Sequence, residues 1–214
     1  MNSHDQPTQL FFEELLAETG RCFKKTDVYK KQQAKNSQWN YSVCGTPILK
    51  NEPIFFGINW GGSGVGRQKA DTQWDDITAY PFIKRNRIFL ENGLKLNFSD
   101  INFNYTNFCF FRSPKADDLS AKDYDCSIPL FKKYVTYINP PWLLAIGNTS
   151  FNKLRQYQSL DKIVQYQNQT GKVNGFSAKL WDLDVYTVPH PNARLSNTER
   201  NAIWTCAIDK INPN

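Results

Sequence analysis

Four short apolar segments constrain what this chain can fold into. They lie at residues 53–58, 105–111, 142–146 and 184–188. Each is rich in β-branched or aromatic residues and almost continuously apolar, which is typical of strands covered on both faces. Helical patterns lie between them. The sequence therefore predicts an α/β fold, a three-layer α/β/α sandwich around a short, mostly parallel four-stranded sheet.

The first helical patterns precede the sheet. Residues 9–19 place leucine and phenylalanine side chains on one face, and Gly20 is expected to end that helix. Residues 24–38 are polar and lysine-rich, which is compatible with either a solvated helix or a loop.

Later helices flank the third and fourth apolar segments. Residues 127–138 precede the third segment and residues 149–157 follow it. The last helix is expected to begin near residue 197. The caps predicted for these later helices are Thr149 or Ser150 and, as a capping box, Ser196 with Glu199.

Length and composition favour one domain. At 214 residues the chain can bury a core without disulfides, and no repeat or composition shift divides it. We expect a single domain over 1–214, with a helical lead-in at 1–50 and an α/β core at 51–212. The N-terminus does not resemble a signal peptide, and no apolar run approaches the ~20 residues that span a bilayer. We expect an intracellular monomer, cytoplasmic if bacterial, with no membrane partner.

Charge and cysteine usage narrow the partners further. Lysine and arginine exceed aspartate and glutamate by 26 − 20 = 6, which is compatible with a polyanionic partner. Aromatic residues make up 14% of the chain and could stack on bases or fill the core. The five cysteines are scattered and form no C-x-x-C pair, which favours reduced, mostly buried thiols. We expect no metal and no cofactor.

Polar residues and glycines cluster at the ends of the predicted strands. Parallel sheets bind ligands beyond the carboxyl ends of their strands, so these positions are the candidate site. Taken alone, each residue has a structural explanation, as a turn glycine or a satisfied polar group. Together they indicate a site, because they all lie at the corresponding end of a predicted strand. These residues are Gly57 to Gly61 after the first strand, Asn107 and Arg112 in the second, Gly147 to Ser150 after the third, and His190 after the fourth.

Three of these segments, taken in order, resemble motifs of the uracil-DNA glycosylase superfamily. "GINWGG" resembles the first motif in the Gly-(Ile/Met)-Asn-Pro-Gly form of the mismatch-specific and single-strand-selective branches. "TNFCFF" resembles the segment that carries the base-reading asparagine, and "HPNAR" resembles the second motif. The resemblance covers about residues 53–196. It departs from the pattern at Trp60, which replaces a proline, and at Asn192, which replaces a serine.

The resemblance implies a uracil-DNA glycosylase-like fold and a monofunctional hydrolase of base-excision repair. The enzyme would cleave the N-glycosidic bond of uracil, or of a related deaminated base such as hypoxanthine. Asn59 would hold the attacking water, His190 would donate to uracil O2, and Asn107 would pair with the base. Solvated loop carboxylates are the favoured interpretation of Asp71, Asp75 and Asp76, although one of them could supply a base. The other expected substrate-binding residues are Gly57, Ile58, Trp60, Gly61 and Trp74.

The implied partner is DNA, either single-stranded or a mismatched or damaged duplex. Arg194 takes the position of the family's wedge residue, and the turn that begins at Gly147 would present backbone amides to a phosphate. The expected DNA contacts are Arg112, Gly147, Asn148, Thr149, Ser150, Asn192 and Arg194. Two alternatives stay open. One is a catalytically inactive nucleic-acid-binding protein on the same fold, and the other is a phosphate- or nucleotide-binding protein that uses the Gly-rich loop.

Overall fold

The fold is known from a computed structural model that describes residues 6–35, 40–61, 81–96, 102–167 and 173–212. The strands are β1 (Ile54–Trp60), β2 (Asn104–Arg112), β3 (Leu143–Ile146), β4 (Asp161–Gln167), β5 (Val173–Leu180) and β6 (Leu183–Val188). The α-helices of the described residues are α1 (Gln6–Phe23), α2 (Asp27–Ala34), α3 (Pro81–Ile88), α4 (Ala121–Ile138), α5 (Asn148–Tyr157) and α6 (Asn197–Ile211). A π-helical turn at Phe89–Gly93 continues α3.

The strands form one six-stranded mixed sheet in the order β2-β1-β3-β6-β5-β4. The first four neighbours in that order are parallel, and they are the four predicted strands. The three-layer α/β prediction is confirmed, but the predicted count of four strands is wrong. An antiparallel hairpin, β4 with β5, extends the sheet beyond β6. β4 lacks a continuous apolar pattern because it is an edge strand, and Val164 in its middle is 47% exposed.

Each face of the sheet is covered by helices. Because successive side chains of a strand point to opposite faces, Ile54 and Phe56 of β1 join one core cluster and Phe55 joins the other. The first cluster also contains residues of α1, α4 and α5. The second contains Phe82 of α3 and Trp204 of α6. Apolar side chains therefore cover both faces of the parallel strands, and Asn107 of β2 is among the few buried polar residues within them.

The helical patterns are confirmed in position, but two predicted ends are wrong. Gly20 does not end α1, which continues to Phe23; a Cβ at Gly20 would overlap the Tyr41 hydroxyl, so the position requires a small residue within the helix. α5 has Gly147 as its N-cap instead of Thr149 or Ser150.

Two further helices bear on the sequence predictions. The ambiguous lysine-rich segment contains the short helix α2. The capping box of Ser196 and Glu199 is present at the start of α6. None of the described helices is long and apolar enough to cross a membrane.

Candidate active site

A cavity of about 540 Å³ opens at the carboxyl ends of the parallel strands. Eight of the predicted site residues share it, although they come from four separate stretches of the chain. They are Gly57, Ile58, Asn59, Asn107, Thr149, Ser150, His190 and Asn192. Four lining residues were not predicted, namely Phe82, Tyr105, Ile146 and Pro191.

Asn107 is one of two buried polar residues in the described lining, with 3% of its surface exposed; the other is Ser150. It lies opposite Gly57 in the parallel register of β1 and β2. Its Oδ1 comes so near the Gly57 backbone that a Cβ there would be only 2.5 Å from it. No hydrogen bond joins the Asn107 carboxamide to any other described residue. Neither of its side-chain polar atoms is among the fully buried, unpartnered atoms of the described residues, so both open into the cavity, where a ligand can pair with them.

Asn59 also lies in the cavity, but one end of its carboxamide is already anchored. Its Nδ2 donates to Ser113 Oγ at 2.8 Å. The Ser113 hydroxyl donates its own proton to the Lys115 carbonyl at 2.7 Å, so it can only accept from Asn59. This network fixes the orientation of the amide. Asn59 Oδ1 is the end left to accept a hydrogen bond from a guest.

The pairing register of β1 with β2 changes directly after Asn59. β1 and β2 pair regularly up to Asn59 and Cys109, and the register then shifts between Asn59 and Trp60. Such irregularities re-aim side chains next to functional sites. Asn59 is therefore the last residue of β1 in the regular register, and the irregularity begins beside it at the cavity.

His190 follows β6 and lies at the exposed mouth of the cavity. The backbone N–H of Asn192 donates to its Nδ1 at 3.1 Å. Nδ1 is therefore an acceptor, and in the neutral ring the proton is on Nε2. Partial desolvation of the ring at the cavity mouth, and secondarily the positive charge of Arg85, lower the pKa of His190 below its ordinary value of 6.5. A neutral imidazole that donates from Nε2 is the expected form at neutral pH.

Gly147 allows His190 to occupy its position. Its φ is +85°, a conformation that side-chain-bearing residues rarely adopt. A Cβ at Gly147 would also lie 2.9 Å from the Cβ of His190. The turn between β3 and α5 therefore requires glycine for two reasons. One is the backbone conformation of Gly147, and the other is the close packing of residues 189–196, the loop after β6 that is called the His190 loop below.

Helix α3 forms a side of the cavity that the sequence did not predict. Phe82 is 3% exposed and lines the cavity, whereas Arg85, one turn later, is exposed. Arg85 Nη1 donates to the carbonyl of Pro191 and, at 3.1 Å, to Oδ1 of Asn192. The eight residues of α3 are too few to give a clear period in the sequence, so no pattern indicated this helix.

Two aromatic side chains offer flat surfaces to a guest. Tyr105 precedes Asn107 by two residues on β2, so both side chains point to the same side of the strand. Its ring packs edge-on against Trp60, with centroids 6.0 Å apart. Phe82 supplies the second aromatic surface, and Ile146 adds an aliphatic one.

Three predicted contacts belong to the surroundings of the cavity rather than to its described lining. The Trp60 indole donates to the Ser42 carbonyl and packs edge-on against Tyr105, so Trp60 lies outside the described lining and its substrate-binding role stays a prediction. No described atom lies within 4 Å of a Cβ built at Gly61, so no described residue requires a close backbone approach there. Arg112 braces the Gly61 carbonyl and the Asn40 side chain, each at 2.9 Å, instead of reaching the cavity.

The remaining predicted residues lie around or beyond the cavity. Gly147 and Asn148 form the turn behind its lining, and Arg194 is exposed beside the His190 loop. Ser150 is 3% exposed, and its hydroxyl donates to the Ile146 carbonyl at 2.8 Å. Trp74 and the three candidate bases Asp71, Asp75 and Asp76 lie outside the described residues.

The described lining contains amides, an imidazole and aromatic rings, but no carboxylate. Elsewhere within the described ranges, no three His, Cys, Asp or Glu side chains are grouped so that they could hold a metal ion. What these lining groups can do is pair with a planar polar guest, donate to a developing negative charge and hold a water molecule.

No protein-family model matches the chain, and no curated protein matches its sequence.

Proposed function

We propose that this chain is a monofunctional DNA glycosylase that hydrolyses the N-glycosidic bond of uracil, or of a related deaminated base, in DNA during base-excision repair. The observation that carries the proposal is the buried, unpartnered carboxamide of Asn107, in one cavity with Asn59 and His190. Its proposed substrate places its action inside the cell, in the cytoplasm if the source is bacterial.

Asn107 reads the base. With Oδ1 turned toward the N3 position of the base, its carboxamide accepts from uracil N3–H and donates to O4; in that orientation cytosine presents the reverse pattern and leaves both ends unpaired. Phe82 and Tyr105 provide the aromatic surfaces against which a planar base can lie. The cavity of about 540 Å³ falls within the range of small-molecule sites.

His190 stabilises the leaving base. Cleavage places negative charge on uracil, and a fixed donor aimed at O2 favours that charge more than the neutral ground state. The bond from the Asn192 N–H to Nδ1 leaves Nε2–H as the donor. A neutral imidazole serves this role without taking part in proton transfer.

Asn59 holds the attacking water. Because its Nδ2 is committed to Ser113, its Oδ1 accepts a hydrogen bond from water on the side of the sugar. An amide is no general base, so the rate depends mainly on stabilisation of the leaving group. The resemblance therefore implies slower chemistry than in the branch of this superfamily that uses an aspartate here.

The target nucleotide must leave the stack to enter this cavity. Extrusion costs a few kcal/mol, and least for a base that is single-stranded or mispaired. The N-terminus of α5, which lines the cavity through Thr149 and Ser150, is favourable for a phosphate next to the flipped nucleotide. Arg194 is exposed beside the His190 loop and is the candidate to fill the gap that the base leaves.

The test is alkali-revealed strand cleavage of labelled oligonucleotides with one uracil or hypoxanthine, as single strands and as duplexes opposite guanine or adenine. The wild-type chain should produce abasic sites, and His190→Ala should lower the single-turnover rate by roughly 10²–10³-fold. His4→Ala, which removes the only other histidine, is the matched control and should retain the rate. Tight DNA binding without abasic product on any substrate would instead support the inactive binding protein.

A further inference from the structure

One peptide unit of the His190 loop is held from both of its ends. The carbonyl of Pro191 accepts from Arg85 Nη1, and the N–H of Asn192 donates to His190 Nδ1 at 3.1 Å. These two groups belong to the same peptide bond, because Pro191 and Asn192 are consecutive. In a planar trans peptide the carbonyl and the N–H point in opposite directions, so orienting one orients the other. The Asn192 side chain gives Arg85 a second acceptor at 3.1 Å.

This arrangement is a short chain of polarised hydrogen bonds that begins at a cation. A guanidinium that donates to a carbonyl draws electron density from that amide and makes its N–H a stronger donor. The stronger N–H in turn holds Nδ1 of His190 in the acceptor state. Nε2–H, at the other side of the ring, then becomes a better donor to negative charge.

We propose that Arg85 is a positioning residue that acts on His190 through the Pro191–Asn192 peptide, fixing the tautomer and strengthening the hydrogen bond that Nε2–H gives to the leaving base. The inference rests on the proposed function for its catalytic consequence, but not for the state of the ring. It also gives Asn192 a role in this chain, as an anchor for the guanidinium of Arg85.

Other charged groups around the loop contact different atoms. From α6, Arg200 Nη2 donates to the Ala193 carbonyl at 3.2 Å, beyond the peptide that touches His190. Arg194 is exposed on the loop itself. Arg87 lies on α3 beside Arg85, but pairs with Glu91 at 2.7 Å. Arg87 and Arg200 therefore provide matched controls, one for charge on α3 and one for tethering of the loop.

The state of His190 can be measured without any activity. The chain has two histidines, so ¹⁵N imidazole spectra of wild type and of His4→Gln assign both rings. Wild type should show His190 with Nε2 protonated and Nδ1 bare, and a pKa below 6.5. Arg85→Gln should raise the His190 pKa and mix the tautomers, whereas Arg85→Lys should largely preserve both. Arg87→Gln and Arg200→Gln should leave the ring unchanged.

The kinetic consequence is measured in the same variants on a uracil oligonucleotide under single-turnover conditions. Arg85→Gln should lower the maximal rate about tenfold, the effect expected when one charge-assisted hydrogen bond is lost, with little change in the half-saturating concentration. Arg85→Lys should recover part of the rate. Thermal unfolding of each variant is measured alongside, and Arg85→Gln, a substitution at an exposed position, should unfold at the same temperature as wild type.

The outcomes separate the two proposals. If Arg85→Gln leaves the tautomer and the pKa of His190 as in wild type, the inference is overturned, whatever the activity. If Arg200→Gln or Arg87→Gln changes the ring as much as Arg85→Gln does, the Pro191–Asn192 peptide is not the route and the inference also fails. If the ring responds only to Arg85 but wild type cleaves no substrate, the positioning contact stands and the glycosylase proposal fails.

Discussion

At the scale of single residues, the stability of an Asn107 variant shows whether this buried polar residue has a functional or a structural role. A buried asparagine that satisfies the backbone stabilises a fold, and its loss destabilises it. Asn107 has no described partner, so the substitution Asn107→Leu, of similar volume, should keep or raise the free energy of unfolding while abolishing cleavage of uracil. Urea unfolding and the oligonucleotide assay measure the two effects. Asn104 is the control, because its side chain bonds to Leu49 and Glu52, and Asn104→Leu should destabilise the fold.

A destabilised Asn107→Leu with normal activity would contradict this assignment, since that result would identify the residue as a structural one. A stabilised and inactive variant is the pattern of a site that trades stability for function.

Gly57 and Gly61 form a second matched pair. A Cβ at Gly57 would meet the Asn107 Oδ1 at 2.5 Å, whereas a Cβ at Gly61 would meet no atom of the described residues within 4 Å. Gly57→Ala should destabilise the fold by about 1–3 kcal/mol, as overpacking does, and displace the Asn107 amide. Gly61→Ala should change the free energy of unfolding by less than about 0.5 kcal/mol, as at an unconstrained surface position. Urea unfolding of both variants is the measurement.

The double variant Gly57→Ala with Asn107→Ala tests the cause. If the clash is with Asn107, the double variant should recover much of the stability that Gly57→Ala loses. Simple addition of the two single effects would show that Gly57 is needed for another reason.

The lowered pKa of His190 gives a pH dependence with a definite sign. Its folded pKa lies below the ordinary 6.5, so the ring stays neutral from high pH down through 6.5 and becomes protonated only below that value. Protonation removes the Nδ1 acceptor that Asn192 N–H requires. The single-turnover rate should therefore be flat above 6.5 and fall as pH drops through the lowered pKa. A rate that increases on acidification, with an inflection near 6.5, would contradict the neutral-donor assignment.

At the scale of elements, one buried hydrogen bond fixes the position of α3 beside the cavity. Trp204 Nε1 of α6 donates to Asn86 Oδ1 at 3.0 Å, and Asn86 Nδ2 donates to the Phe82 carbonyl. Asn86→Leu leaves the fully buried indole N–H without a partner, which costs about 1–3 kcal/mol. Urea unfolding should show this loss, and cleavage should weaken because Phe82 and Arg85 belong to the same helix. Full activity at unchanged stability would mean that packing alone positions α3.

One side chain of α4 contacts the lead-in segment at the start of α2. The fully buried Asp123, near the start of α4, accepts from the backbone N–H groups of Asp27 and Val28 in the first turn of α2, and from that of Ser120. Asp123 therefore caps two helices at once. This contact is invisible in the sequence, because nearly a hundred residues separate its partners.

These elements show which parts of the fold were accessible to sequence reasoning. The parallel strands were predictable because burial on both faces leaves a nearly continuous apolar run, as in Phe55 and Phe56. The β4–β5 hairpin was not, since an edge strand with Val164 exposed lacks that run. The sequence did not predict Gly147 as the N-cap of α5, because Thr149 and Ser150 have better capping propensity. The close approach of His190, which only glycine allows at residue 147, is not visible in the sequence.

At the scale of the whole molecule, eight predicted residues share one cavity because the carboxyl ends of the parallel strands lie side by side in the sheet. Sequence could not find Arg85, whose partners at Pro191 and Asn192 are more than one hundred residues away. It also could not foresee that Trp60 turns to Ser42, since a tryptophan after a candidate catalytic residue is equally compatible with stacking on a base. Hydrogen bonds from a side chain to the backbone carbonyl of a distant residue decide both cases.

The net charge of +6 makes a prediction about how the whole chain meets DNA. A cation that contacts a phosphate releases a counterion, so its removal lowers affinity and also reduces the salt dependence by about one unit of slope. Arg194→Ala, beside the cavity mouth, should do both in fluorescence anisotropy with a single-stranded oligonucleotide from low to high salt. Arg155→Ala removes the same charge from the exposed last turn of α5, at the end away from the cavity, and should leave the slope unchanged. Equal losses from the two variants would mean that overall charge, and not the face around His190, carries the affinity.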